Sequence, residues 1–341
     1  MKSGTSVGRP DSGGPDPATP LRQRAHAVLM VRPAAFGWNP ETAASNRFQR
    51  RDPAAPGSAR QLAVTEFDAL VAELLGAGVE VHALDEPPDT ACPDCVFPNN
   101  WVSLHHDGTV VLYPMLAPSR RLERRMELLA LLEQRGGFAV TRLLDLSHHE
   151  LSGRFLEGTG SVVFDHACRV AYACRSPRTN AEVLAELCDE LGYEPFAFDA
   201  TDGEGVAVYH TNVLLSIGQR SAIVCAEAVP LAQRVPLLER LQASGREVVA
   251  IDRAQMAAFA GNALELAAAD GTAVLAMSDR ALRSLDAGSL ETLRRCAERI
   301  VAVPMPTIED LGGGSVRCML AEVFLPRSPA GSQHSPDGAN T

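Results

Sequence analysis

No stretch of the chain is apolar for long enough to cross a bilayer. Its first twenty residues, MKSGTSVGRPDSGGPDPATP, hold no apolar segment of the kind a secretory signal needs. These two absences predict a protein of the reducing cytoplasm, with its eight cysteines free and mostly buried. An excess of basic charge is also missing. The formal charge of -11 at pH 7 argues against a nucleic-acid partner, although a local basic pocket is compatible with it. The glycine patterns of dinucleotide-binding folds and P-loops do not occur. There is one C-x-x-C, Cys92-Pro93-Asp94-Cys95, but no second C-x-x-C or H-x-x-x-H that would complete a zinc site. Its proline and aspartate suit a loop rather than the helix start that a redox pair needs. No metal or organic cofactor is expected.

What is present is enough for a large core: 341 residues, 46% hydrophobic and 21% charged. The ends, residues 1–24 and 327–341, are rich in glycine, proline and serine and are expected to be disordered. Between them, residues 25–326 read as a single α/β domain built on a repeat. NWVSLH, GTVVLYPM, the segment 119–136 and AVTRLLDL read as strand, strand, helix, strand. The helix rests on Leu122, Met126, Leu129 and Leu132 at helical spacing. SVVFD, RVAYACR, TNAEVLAELCDELG and EPFAFDA repeat the order, with N-cap oxygens on Thr179 and Asn180 and a stop at Gly192. Two more units follow, over 205–252 and 262–306. VRCMLAEVFL near the C-terminus can pair with AHAVLMVRP near the N-terminus, and helix 61–76 with strand VEVHAL completes a fifth unit. Five ββαβ units, one split between the termini, predict a closed radial array, a five-bladed α/β propeller of pseudo-fivefold symmetry. A doubly wound parallel sheet would need simple alternation of strand and helix.

Three segments carry candidate chemistry. In Gly312-Gly313-Gly314-Ser315-Val316-Arg317-Cys318 a cysteine follows a flexible loop at what reads as a strand start; it is either a nucleophile near backbone N–H donors or a small core residue. His210, in YHTN, is either a general acid/base or a core histidine satisfied by a carbonyl. Glu157, in EGTGS, is either a carboxylate that orients an imidazole or an exposed turn acid. Each lies in or begins the first strand of a different unit, and equivalent positions in a radial array converge on its axis. A cysteine, a histidine and a carboxylate brought together there form a covalent-catalysis set.

EGTGS, YHTN, GGGSVRC and the fivefold ββαβ count resemble the guanidino-group modifying superfamily, which includes arginine deiminase, agmatine deiminase, dimethylarginine dimethylaminohydrolase and the amidinotransferases. VFPNNWVSLH, TVVLYPMLAPSRRLERR, AYACRSPRTN and GGGSVRCMLAEVFLP more closely resemble one branch, the citrulline ureidase group. The likeness runs from about residue 25 to 326. It implies Cys318 as nucleophile, His210 as acid/base and Glu157 as its carboxylate partner. It also implies Arg120 and Arg178 as holders of a substrate α-carboxylate, a task suited to bidentate pairing, and Asp94 as a contact for the α-amino group.

The chain departs from the deiminase pattern at two positions. Deiminases clamp a cationic guanidinium between two aspartates; here the matching residues are Asn100 and Asn212. A carboxamide offers both donors and acceptors, as a neutral ureido group requires. The implied activity is hydrolysis of L-citrulline to L-ornithine, ammonia and carbon dioxide. The alternatives are a guanidine-acting relative or a non-catalytic binding module. The implied partner is a small amino acid, with room for a homo-oligomer.

Overall fold

The computed structural model describes residues 21–50, 56–86 and 92–328. Most of both expected tails lies outside those residues. Within the first, however, Gln23 is buried: its amide donates to the carbonyls of Phe164 and Ile217 and accepts from His166 N–H. The packed chain therefore begins before residue 25.

The described strands form five three-stranded ladders of one design. The first strand runs antiparallel to the second, and the second runs parallel to the third. β1 (Ala27–Arg32) pairs in parallel with β2 (Glu80–Asp85) and antiparallel with β15 (Ala321–Val323), so both ends of the chain share a ladder. β3 (Val102–Leu104), β4 (Thr109–Leu112) and β5 (Arg142–Asp145) form the next. β6 (Val163–Asp165), β7 (Val170–Cys174) and β8 (Glu194–Phe198) follow. The last two are β9 (Leu215–Ile217) with β10 (Ser221–Val224) and β11 (Glu247–Ala250), and β12 (Leu264–Ala267) with β13 (Ala273–Ser278) and β14 (Arg299–Val303). A single parallel bridge, Val323 to Leu104, joins the first two ladders into a six-stranded sheet. The antiparallel pair in each ladder excludes a doubly wound sheet. Central strands β4, β7, β10 and β13 are buried throughout, which explains their unbroken apolar sequences. Third strands such as β5 are largely exposed, so each ladder runs from interior to rim. No helix among the described residues is long and apolar enough to cross a membrane.

Helix Ala181–Leu191 forms as its sequence indicates. Asn180 Oδ1 accepts the N–H groups of Glu182 and Val183, and Gly192 ends the helix at φ 71°. The helix read over 119–136 is different. It is split into Pro118–Arg121 and Met126–Gly136, and Leu122 and Met126 are 65% and 46% exposed. The buried face is Leu128, Leu129 and Leu132. The break has a physical cause: the first piece turns Arg120 inward, where its guanidinium meets Glu123 and Asn100, and a continuous helix with Leu122 inside would carry Arg120 away from them. Leu129→Ala is expected to cost about 2–5 kcal/mol of unfolding free energy, and Leu122→Ala less than about 0.5 kcal/mol. Urea denaturation of the two variants tests this assignment, and equal losses would contradict it.

Candidate active site

Each ladder's first strand is preceded by a tight turn, and these turns meet. The third residue before the first strand is Asn99, Gly160, Asn212, Gly261 and Cys318 in the five units, and the second is Asn100, Ser161, Val213, Asn262 and Met319. The register is real in hydrogen bonds: Tyr113 N–H bonds Trp101 O just as Cys225 N–H bonds Leu214 O. His210, Asn212 and Cys318 therefore do not lie within strands, as their apolar surroundings suggested. Asn212 sits in a short helical turn, Thr211–Val213, with His210 extended at its start, and Cys318 in another, Val316–Met319. Asn99 and Asn100 occupy a third, Pro98–Asn100. Helical turns place successive side chains on different sides, so a single residue of each turn faces the shared interior.

Glycine makes this convergence feasible. Gly158 has φ 47°, and a Cβ there would lie 2.2 Å from Asn99 O. A Cβ on Gly160 would lie 2.5 Å from Asn100 Nδ2 and 2.7 Å from His210 Nδ1. Glu157, fully buried, accepts from His210 Nε2 at 2.9 Å, from Leu116 N–H at 3.1 Å and from Arg178 Nη1 at 3.3 Å. Burial alone would raise its pKa, but Arg178 and the His210 contact outweigh burial and hold the carboxyl well below its usual range. Burial also acts on His210, lowering it from 6.5 to about 4 against the opposing pull of Glu157. The pair at neutral pH is thus a carboxylate and a neutral imidazole.

Cys318 is buried, and among the described residues its sulfur has two hydrogen-bonding neighbours. Asn262 Nδ2 lies 3.2 Å away and Asn212 Nδ2 3.5 Å. The N–H groups of Gly313 and Cys318 are already bonded, to Glu309 O and Ser315 O, so neither is free to receive an oxyanion. The cavity beside Cys318 is narrow and is also lined by His210, Asn100, Tyr209, Arg120, Arg178 and Asp94. Segment 39–49 covers it. Asn39 and Thr42 hold Asp94 Oδ2, Thr42 O and Ser45 hold Arg178, and Asn46 and Gln49 reach the carbonyls of the glycine loop.

All eight residues singled out in the sequence are buried in this neighbourhood. Six line the cavity; Glu157 stands behind His210, and Asn212 stands behind Cys318, its Nδ2 3.5 Å from the sulfur. Asp94 keeps one buried oxygen, Oδ1, without a hydrogen-bond partner, the state of a group waiting for a donor. The two arginines are less free than their expected role suggests. Arg120 pairs bidentately with Glu123 at 2.9 Å and donates to Asn100 Oδ1 at 2.7 Å. Arg178 is engaged by Ser45, Thr42 O and Glu157. Asn262 went unremarked in the sequence, though the repeat marks it: it stands two residues before its strand, as Asn100 does. Cys92 and Cys95 are buried thiols; the Cys95 thiol donates to Glu86 at 2.8 Å. His148, His149 and Glu186 have the spacing to share a metal ion, but none of them lines the cavity.

A family model for N,N-dimethylarginine dimethylhydrolase, eukaryotic, matches residues 32–325. The chain belongs to this family. It is accordingly a member of the guanidino-modifying pentein superfamily, and structural likeness agrees. ArgZ, a cyanobacterial arginine dihydrolase, superposes with a TM-score of 0.68 at 18% identity over 89% of this chain and 41% of its own. The chain thus spans about two-fifths of full-length ArgZ. The N-terminal domain of ArgZ with bound product gives 0.67 at 18% identity, over 88% of this chain and 99% of that domain. A dimethylarginine dimethylaminohydrolase adduct with S-methyl-L-thiocitrulline gives 0.58 at 15%, over 87% of this chain and 98% of the other. A search of curated protein sequences finds no match.

Two predictions follow from the family's site as it is built here. Gly160→Ala drives a methyl group into Asn100 and His210, and is expected to lower kcat/KM by about 10²-fold through misplacement while the far-UV circular dichroism is unchanged; wild-type kcat/KM would contradict the packing. Because His210 is depressed, its neutral form persists as pH falls and is lost only near pH 4. The acid limb of kcat/KM that reports it should lie nearer pH 4 than 6.5; a limb at 6.5 would contradict the depression.

Proposed function

We propose that the chain hydrolyses the ureido C–N bonds of L-citrulline to give L-ornithine, ammonia and carbon dioxide, through a covalent intermediate on Cys318. The observation that carries this reading is the distribution of charge along the cavity. Among its described lining residues Asp94 is the one carboxylate, and it sits with Arg120 at 3.9 Å. Beside Cys318 and His210 the wall carries the neutral amide Asn100, and a second, Asn212, lies directly behind the sulfur. A zwitterionic amino-acid head suits the charged end. A guanidinium beside the amides would meet no carboxylate on the described wall, since Glu157 lies behind His210 and is already paired with Arg178, and its burial would cost several kcal/mol. A ureido group, with one acceptor and N–H donors, matches the amides. The five ladders, in this reading, stand around one axis as an α/β propeller with the reacting carbon near it.

In the mechanism the neutral imidazole of His210 takes the thiol proton of Cys318, and the thiolate so formed attacks the ureido carbon. His210 delivers a proton to the departing nitrogen, leaving an S-carbamoyl group on Cys318. The again neutral imidazole then takes a proton from water as that water attacks the carbonyl, and the thiolate departs. The carbamic acid released loses carbon dioxide, which breaks the second C–N bond and frees the remaining amine. Glu157 holds the ring and stabilises its charged form. Asn212 Nδ2, 3.5 Å from Cys318 Sγ, donates toward the sulfur.

A guanidine-acting role is the second reading, favoured by the family model and by likeness to arginine dihydrolases. Incubation with citrulline, arginine, agmatine and dimethylarginine separates the two. Ornithine from citrulline and none from arginine is expected; turnover of arginine or dimethylarginine with citrulline untouched would transfer the assignment. Cys318→Ala should abolish turnover in a folded protein. Asn100→Asp should lower kcat/KM for citrulline by about ten-fold or more, the loss of one interaction of roughly 1.4 kcal/mol.

A further inference from the structure

Asn262 is fully buried, yet its side chain is only half satisfied. Nδ2 donates to Asn212 O at 2.9 Å and lies 3.2 Å from Cys318 Sγ, while Oδ1 has no partner. Its orientation is decided by chemistry. A backbone carbonyl can only accept, so the amide must turn its nitrogen toward Asn212 O. Its second N–H is then left facing the sulfur. Reversing the amide would set Oδ1 against a carbonyl oxygen and a sulfur together. An unpartnered buried oxygen costs free energy, and a fold that keeps it is keeping the donor on the other side of the group. Asn262 does not line the cavity; it supports Cys318 from behind.

We propose that Asn262 is a positioning residue for Cys318: one N–H pins the Asn212 turn, and the other holds the sulfur and favours its thiolate over its thiol. This rests on the reading of Cys318 as nucleophile. It assigns the stabilisation of the attacking anion to two neutral amides, Asn262 and Asn212, rather than to a cation. A neutral donor has a physical advantage there. It accommodates the thiolate before attack and the uncharged thioester afterwards, without leaving a buried positive charge stranded.

The test is the pH dependence of Cys318 alkylation by iodoacetamide, followed at the Cys318 peptide by mass spectrometry, alongside citrulline turnover. Asn262→Asp keeps the shape and turns donors into acceptors. Asn262→Leu keeps the volume and removes both donors. In both, the alkylation midpoint should move to higher pH by roughly one unit or more, about a ten-fold loss of thiolate at fixed pH, with the larger shift in Asn262→Asp. Asn262→Ser, which restores a hydroxyl donor, should recover part of the shift. Midpoints unmoved in all three, with turnover lost only as thermal stability falls, would overturn the proposal and leave Asn262 a packing residue. Cys318→Ala that still releases ornithine would overturn the nucleophile reading instead; the alkylation midpoints would still decide the contact.

Discussion

The buried carboxylate of Glu157 is the point on which the rest of this site depends. It is reached from three sides: by His210 from the third unit, by Arg178 from the loop after β7, and by Leu116 N–H from the chain after β4. An ionised carboxylate at zero exposure is tolerable only if it is fully partnered. Folding must therefore bring those elements together before the charge can be buried at acceptable cost. The same requirement fixes the imidazole, because the oxygen that accepts from Arg178 also accepts from His210 Nε2, leaving Nδ1 toward Gly160 and Asn100.

Around this node the cavity wall is electrically mixed. Two arginines and Asp94 lie within a web of buried ion pairs, while sulfur, imidazole and the Asn100 amide carry no charge of their own; Arg120 touches both sets, donating to Asn100 Oδ1 at 2.7 Å. Low dielectric makes that partnering matter, since an uncompensated charge costs more there than in water. The web also explains why segment 39–49 matters. It supplies hydroxyl, carbonyl and amide partners to Arg178, Asp94 and the glycine loop, so covering the site and satisfying its polar groups are one event.

The ladders were legible because each unit is a short-range pattern. Strand, strand, helix and strand alternate with turn residues, and the caps at Asn180 and Gly192 are local chemistry. The split of the helix at Leu122–Arg125 was not legible. Arg120 looks like a solvated helix charge until Glu123, Asn100 and Glu157 are known to surround it. The turns before the first strands were missed for a related reason. His210 and Cys318 stand in apolar runs that read as strand, but burial at the meeting point of five units, not strand formation, makes those runs apolar.

From the sequence alone come the fivefold repeat, the pairing of the two ends of the chain, the cysteine, histidine and glutamate set, and the substitution of two aspartates by asparagines. These are properties of residue type and spacing along one chain. The tertiary structure alone decides which amide nitrogen faces the sulfur, which arginine atoms are already engaged, and that Asn262 stands behind Cys318. The arginine contacts depend on how chain segments fold back on one another, and those of Asn262 and Cys318 on units 50 or more residues apart, where a shift of one residue in register would point each side chain elsewhere.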